Sequence, residues 1–124
     1  GSGKLRILVV DDSVSTRHVG KNILEAKGYK VDLAADGAEG FEKAMDTQYD
    51  LILTDIEMPR MDGFTLTESL RQENRYRHTP IIILSSRSDE ADKQRGMDAG
   101  ANGYLVKGVF DPQQLTNVIQ NLVQ

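Results

Sequence analysis

The sequence contains no cysteine. Disulfides, thiolate metal sites and a thiol nucleophile are therefore excluded, and a reducing cytoplasm is the simplest setting. Long hydrophobic runs are missing too. The longest, such as Ile7 to Val10 and Ile81 to Leu84, hold four or five residues, far below the ~20 that a helix needs to cross a bilayer. No charged-then-apolar leader marks export, so no membrane role is expected. Nor is there an excess of positive charge: 15 Lys and Arg face 19 Asp and Glu, for a net charge of −4. A mildly acidic chain lacks the electrostatic footprint for gripping nucleic acid by its phosphates.

What is present suits one folded domain. A length of 124 residues is too short for two ordinary units. With 39% hydrophobic and 27% charged residues, the chain can bury a core rather than stay disordered. It opens Gly1-Ser2-Gly3 without an initiator Met. Residues 1–3 read as a cloning remnant, leaving residues 4–124 as one domain expected to come from a longer protein.

Short apolar runs alternate with segments of helical period. Strands are expected at Leu5–Val10, Tyr29–Ala34, Leu51–Thr54, Ile81–Leu84 and Gly103–Val106. The first, third and fourth are almost continuously aliphatic, as parallel strands covered on both faces must be. The second alternates Val31 and Leu33 with Lys30 and Asp32, which fits a sheet edge. Between the strands, Val19, Ile23 and Ala26 form one helical stripe, Ala38, Phe41 and Met45 another, and Leu66 with Leu70 a third. Leu115, Val118, Ile119 and Leu122 give the clearest helical face. Gly28 and Gly100 stand where helices should stop in a left-handed residue. Asp111-Pro112 reads as a capping carboxylate before a first-turn proline, while Asp36-Gly37 and Thr79-Pro80 read as loops. Five β–α units with right-handed crossovers predict an α/β fold: a five-stranded parallel sheet between two helical layers.

In such sheets, sites form at the carboxyl ends of the strands. Strand one runs into Asp11-Asp12, strand three into Asp55, strand four into Ser85-Ser86 and strand five into Lys107. Strand two is followed only by Ala35-Asp36-Gly37 and is expected to contribute nothing. With strand order 2-1-3-4-5, all the reactive ends cluster. Three converging aspartates and one lysine leave a charge of about −2, which drives protonation or demands a cation. An all-oxygen donor set without His or Cys favours Mg²⁺ over zinc, with Mn²⁺ as a substitute. A carboxylate beside a divalent ion, a lysine and a hydroxyl is equipped to take a phosphoryl group onto itself as an acyl phosphate. The added charge on Asp55 would be offset by Lys107, Ser85 and nearby N–H groups. Each residue alone also has a plainer reading. Asp12 or Ser13 suits a helix cap, Asp55 a turn, Ser85 a local backbone bond, and Lys107 a solvated strand end.

Together these residues resemble the receiver domain of two-component response regulators, a CheY-like, flavodoxin-like fold. The matching residues are Val9-Val10-Asp11-Asp12-Ser13, Asp55 with Met58-Pro59-Arg60-Met61-Asp62-Gly63, Ile81 to Ser86, Gly100-Ala101-Asn102-Gly103-Tyr104, and Lys107. The resemblance runs from Leu5 to about Leu122. It implies that Asp55 is the phosphoacceptor and that Asp12 binds Mg²⁺ directly and Asp11 through water. Asp55 and the backbone carbonyl of Glu57 complete the ligands. It also implies that Ser85 is the switch hydroxyl, Tyr104 the switch aromatic, and Lys107 the partner of the acceptor and then of the phosphate. The implied donor is phosphohistidine on a histidine kinase or phosphotransfer domain, and the output is a protein target or the chain's own kinase. Family members usually place a cis proline after the lysine, whereas here Gly108 follows. A trans or mobile loop is expected, because cis geometry before a non-proline residue costs about 2.5–4 kcal/mol. The stretch from Tyr104 to Asp111 resembles receivers fused to the C-terminus of CheA-type hybrid chemotaxis kinases.

Glu57 and Arg87 each lie two residues beyond a site residue. Both are expected to rim the pocket, face one another and govern water access, while the small Ser86 leaves the approach open. Arg71, Arg75, Arg77 and His78 read as a solvated basic run, and Asp89 to Arg95 as a solvated helix face. His18 and His78 are poor candidates for ligands. Three other functions compete with the switch. An aspartate-nucleophile phosphatase would use Asp55 and Glu57, but the chain is too short for a substrate cap. A flavin module would be repelled by Asp11-Asp12. An unphosphorylated docking module would leave an intact site idle.

Overall fold

Aliphatic side chains on every position of a strand need cover on both faces, and the helices between the strands supply it. The computed structural model describes residues 4–109 and 111–123. The Gly1 to Gly3 leader lies outside the described residues. So does Phe110, within the stretch compared with kinase-fused receivers. The strands are β1 (Arg6–Val10), β2 (Lys30–Ala34), β3 (Leu51–Thr54), β4 (Ile81–Ser85) and β5 (Gly103–Val106). The helices are α1 (Val14–Ala26), α2 (Gly37–Asp46), α3 (Gly63–Arg71), α4 (Glu90–Ala99) and α5 (Pro112–Val123), with a 3-10 turn at Asn74–Tyr76. All strand pairs are parallel and the order is β2-β1-β3-β4-β5, as the sequence predicts. No helix among the described residues is long and apolar enough to cross a membrane.

Alternation along β1 divides the core. Ile7 and Val9 join Leu24 of α1 and Leu115 and Ile119 of α5 on one side of the sheet. Leu8 and Val10 join Ala44 of α2 and Leu66 and Leu70 of α3 on the other. A smaller cluster of Ile56, Phe64, Ile83 and Ala101 takes in the half-buried Tyr104. The expected stripe of α1 needs correction. Leu24 is fully buried, whereas Val19 is 57% exposed and Ala26 is exposed. Leu24 lies one position beyond Ile23, so the buried face is rotated away from Val19.

The helix ends follow their local chemistry. Gly28 and Gly100 adopt φ of +94° and +114° after α1 and α4, and Asp111 Oδ1 accepts the Gln114 N–H at 2.8 Å at the start of α5. Asp36-Gly37 does not form a free loop. Asp36 caps α2, its Oδ1 accepting the Glu39 N–H at 2.8 Å, and Gly37 is the first helical residue.

The basic run after α3 is not simply solvated. Arg71 donates to the carbonyls of Gly100, Tyr76 and Thr79 and to Asn102 Oδ1, at 2.6–3.0 Å. Burial pulls its guanidinium below the usual arginine range. Arg75 donates to the Met45 carbonyl at 2.7 Å, closing the end of α2. On α4, Arg95 lies 4.3 Å from the centre of the Phe64 ring, so this helix face is partly packed.

Candidate functional site

The sheet ladder continues one residue past three of the strands and fixes the site. Asp11 N–H bonds Ala34 O at 3.0 Å, Asp55 N–H bonds Val10 O at 2.9 Å, and Lys107 N–H bonds Ser85 O at 2.8 Å. Backbone pairing therefore sets where these side chains begin, before any charge interaction is counted. Lys107 Nζ reaches both acids, at 2.8 Å from Asp11 Oδ2 and 2.9 Å from Asp55 Oδ2. Asp11 is 2% and Asp55 9% exposed, while Asp12 faces solvent. One carboxylate oxygen from each of Asp11, Asp12 and Asp55 lies within 4.8 Å of the others.

The remaining oxygens are held by backbone. Asp11 Oδ1 accepts the Ser13 N–H at 2.8 Å, and Asp55 Oδ1 accepts the Ile56 N–H at 2.7 Å. Ser13, rather than Asp12, caps α1 by accepting the Thr16 N–H, so Asp12 is left to the pocket. Burial raises the Asp55 carboxyl above the usual aspartate range, against the pull of Lys107 and the Ile56 N–H. Burial works against the Lys107 ammonium, yet Asp11 and Asp55 together hold it above the usual lysine value.

Ser85, Tyr104 and Glu57 meet at Arg87. The Arg87 N–H donates to Ser85 Oγ at 3.1 Å, and the Arg87 carbonyl accepts from the Tyr104 hydroxyl at 2.8 Å. Its Nε donates to Glu57 Oε1 at 2.7 Å, and its Nη1 lies 3.4 Å from Asp92 Oδ1 on α4. Glu57 and Arg87 thus face one another, and Ser86, next to Arg87 in the chain, is exposed. Gly96 of α4 brings the helix onto the Tyr104 ring, since a Cβ there would come 3.3 Å from Cδ2 of Tyr104 and 2.8 Å from Ile83 Cδ1. His18 and His78 are exposed. The Lys107-Gly108 peptide is trans, and Gly108 has φ +81°.

The segment after β3 is tied down at both ends. Gly63 N–H bonds Ile56 O at 2.8 Å, and a Cβ at Gly63 would fall 1.9 Å from the Asp55 carbonyl oxygen. Only glycine permits that approach. Just past the edge strand β2, Asp36 receives Arg60 Nε at 3.0 Å and Nη2 at 3.1 Å, a pair with no bond to the pocket acids or to Lys107. Arg17 Nη1 donates to the Asp11 carbonyl at 2.6 Å. Sequence spacing does not reveal these contacts. The capping pattern from Asp36 to Glu39 was the available signal for Asp36.

A parallel five-stranded sheet with three acids, a lysine and a hydroxyl at its carboxyl ends defines a flavodoxin-like domain built around an acidic pocket. The family model for the response regulator receiver domain matches residues 7–120, and the chain belongs to that family. It is 38% identical to the Vibrio cholerae chemotaxis protein CheY4, with a TM-score of 0.91 covering 97% of this chain and 99% of that one. The receiver domain of a sensor histidine kinase from Pseudomonas aeruginosa, solved with magnesium in its active-site cleft, is 32% identical with a TM-score of 0.90, covering 98% of each chain. A gliding motility regulatory protein of Myxococcus xanthus is 44% identical over 119 residues, 96% of this chain and 15% of that protein. The chain likewise spans about half the length of transcriptional regulators that it matches. It is therefore a receiver domain of the two-component signalling type.

Proposed function

We propose that Asp55 accepts a phosphoryl group in a reaction supported by Mg²⁺, and that the modification shifts the domain between two conformations read by a partner protein. The observation that carries this reading is Lys107 Nζ shared between Asp11 and Asp55 at 2.8 and 2.9 Å. A carboxylate oxygen of Asp55 attacks the phosphorus of a phosphohistidine on a kinase or phosphotransfer domain. The P–N bond breaks, its electron pair stays with the imidazole, and an acyl phosphate forms on Asp55. Lys107 offsets the charge that accumulates there.

The donor set fits a hard divalent ion: three carboxylates close together, without His or Cys. Asp12 would hold Mg²⁺ directly, Asp11 through water, and Asp55 with the Glu57 backbone carbonyl would complete the protein ligands; Mn²⁺ is the substitute. Such an ion supplies charge neutralisation and alignment of the phosphoryl oxygens. The magnesium in the Pseudomonas domain supports this assignment.

Ser85 is the switch hydroxyl. It now accepts the Arg87 N–H, and turning toward a phosphoryl oxygen releases that donor. Because the Arg87 carbonyl holds Tyr104, the release reaches the aromatic ring and α4 as a shift in population. Glu57 and Arg87 close the rim and limit water, while Ser86 leaves room for the donor imidazole. If Glu57→Ala and Arg87→Ala leave the dephosphorylation rate unchanged, this gating role is wrong.

Residues 4–124 form one receiver, acting in the cytoplasm on a protein target or on its own kinase. We assign it to the CheA-type hybrid kinases, on the likeness of the Tyr104 to Asp111 stretch, with its Lys107-Gly108 pair, to their fused receivers. Intact mass after incubation with acetyl phosphate tests the acceptor. One added phosphoryl group is expected on the native chain with Mg²⁺, and none with EDTA or in Asp55→Asn. Turnover of a free phosphomonoester instead would indicate the phosphatase reading.

A further inference from the structure

Arg60 is the one non-glycine residue among those described with a positive φ, at +67°. That conformation penalises any residue carrying a Cβ, and arginine has no local side-chain bond to favour it as asparagine does. The arrangement persists because its guanidinium is spent on one carboxylate: Nε to Asp36 Oδ2 at 3.0 Å and Nη2 to Asp36 Oδ1 at 3.1 Å. Asp36 is itself fixed. It is 8% exposed, and its Oδ1 also accepts the Glu39 N–H at the start of α2. Neither residue bonds to Asp11, Asp12, Asp55 or Lys107.

A second contact runs alongside. The Gly37 N–H donates to the Met61 carbonyl at 3.1 Å, and a Cβ at Gly37 would lie 2.2 Å from that oxygen. Residues 57–62 are thus fastened to the first turn of α2 on one side, and to Ile56 through Gly63 on the other. A strained arginine and a bidentate pair are more than a surface turn requires. What this segment carries is the Glu57 carbonyl, two residues past Asp55.

We propose that the Arg60–Asp36 pair is a positioning clamp that sets the divalent-ion affinity of the acidic pocket by holding the Glu57 backbone carbonyl in place. This rests on the reading, proposed above, of Asp11, Asp12, Asp55 and the Glu57 carbonyl as the metal site. Arg60 is a positioning residue, acting through the backbone of its own segment.

The test separates positioning from folding. Arg60→Gly removes the clamp and also the penalty of a left-handed φ, so the variant is expected to unfold at a urea concentration no lower than Arg60→Ala. Titration with MgCl₂, followed by the amide NMR shifts of Ile56 and Glu57, is expected to show affinity weakened about fivefold in Arg60→Gly, Arg60→Ala and Asp36→Asn, equivalent to ~1 kcal/mol. Arg60→Lys, which keeps the charge but not the two-pronged geometry, is expected to recover part of the loss. Mg²⁺ affinity within twofold of native in both Arg60→Gly and Asp36→Asn overturns the clamp while leaving the metal site intact. If the native chain shows no Mg²⁺-dependent shift, the metal reading falls and the clamp falls with it.

Discussion

Removing the charge of Asp55 should stabilise the metal-free domain. Asp55 gains from Lys107 at 2.9 Å, an attraction of ~6 kcal/mol at an effective dielectric of about 20. Asp11, with an oxygen within 4.8 Å, opposes this by ~3.5 kcal/mol on the same scale. Asp12 is exposed and screened, and adds about 1 kcal/mol of repulsion. The remaining attraction, about 1.5 kcal/mol, is smaller than the several kcal/mol that burying a carboxylate at 9% exposure costs. The raised Asp55 carboxyl has the same sign: burial outweighs its partners. In Asp55→Asn the single amide oxygen keeps Lys107, the NH₂ group forfeits the Ile56 N–H bond, and Lys107 keeps Asp11, so only part of the burial cost is recovered. We expect Asp55→Asn to be ~1–2 kcal/mol more stable than native in EDTA, a rise of about 3–8 °C in melting temperature for a domain of this size. Saturating Mg²⁺ should stabilise the native chain and leave the variant nearly unmoved, closing the gap. Urea unfolding with EDTA and with MgCl₂ gives both numbers. A variant less stable than native in EDTA would refute the electrostatic argument.

Three further outcomes follow from the contacts. Arg71→Ala strands the carbonyls of Gly100, Tyr76 and Thr79, and should cost ~2–4 kcal/mol, read as a lower urea midpoint with unchanged slope. Gly63→Ala places a methyl against the Asp55 carbonyl and should cost at least ~3 kcal/mol or displace the acceptor, seen as loss of both stability and the Mg²⁺-dependent shift of Ile56. The Arg60 guanidinium beside Asp36, with the Glu39 N–H, holds the Asp36 carboxyl below the usual aspartate range. A lowered folded value means stability present above the unfolded value and lost as pH falls through the folded one, so Asp36→Asn should be less stable than native near pH 7, the difference shrinking in acid. A constant difference between pH 7 and pH 2.5 would show that Asp36 acts without its charge.

The sheet and the strand-end acids were legible because both obey short-range rules. Ile7 to Val10 and Ile81 to Leu84 are apolar at every position, which only doubly covered strands tolerate, and the residue where each run stops is polar because it meets the open end of the sheet. Asp36-Gly37 was misread because the same pair suits a turn and a helix start. Its bond to Arg60 joins two loops that are remote in sequence. Arg71 was hidden for a related reason: three of its four partners are backbone carbonyls, and carbonyls leave no mark in an amino-acid sequence. In α1, the adjacent Ile23 and Leu24 serve two different helical stripes, and periodicity alone did not choose between them.

Asp55 is proposed above as the residue that carries the phosphoryl group. The most direct measurement places the group on the chain: phosphorylation by a phosphohistidine donor with Mg²⁺, reduction of the acyl phosphate with borohydride, and peptide mapping. Homoserine is expected at position 55 and nowhere else. Labelling at Asp12, Ser13 or Ser85, or no label from either a phosphohistidine donor or acetyl phosphate, would contradict it.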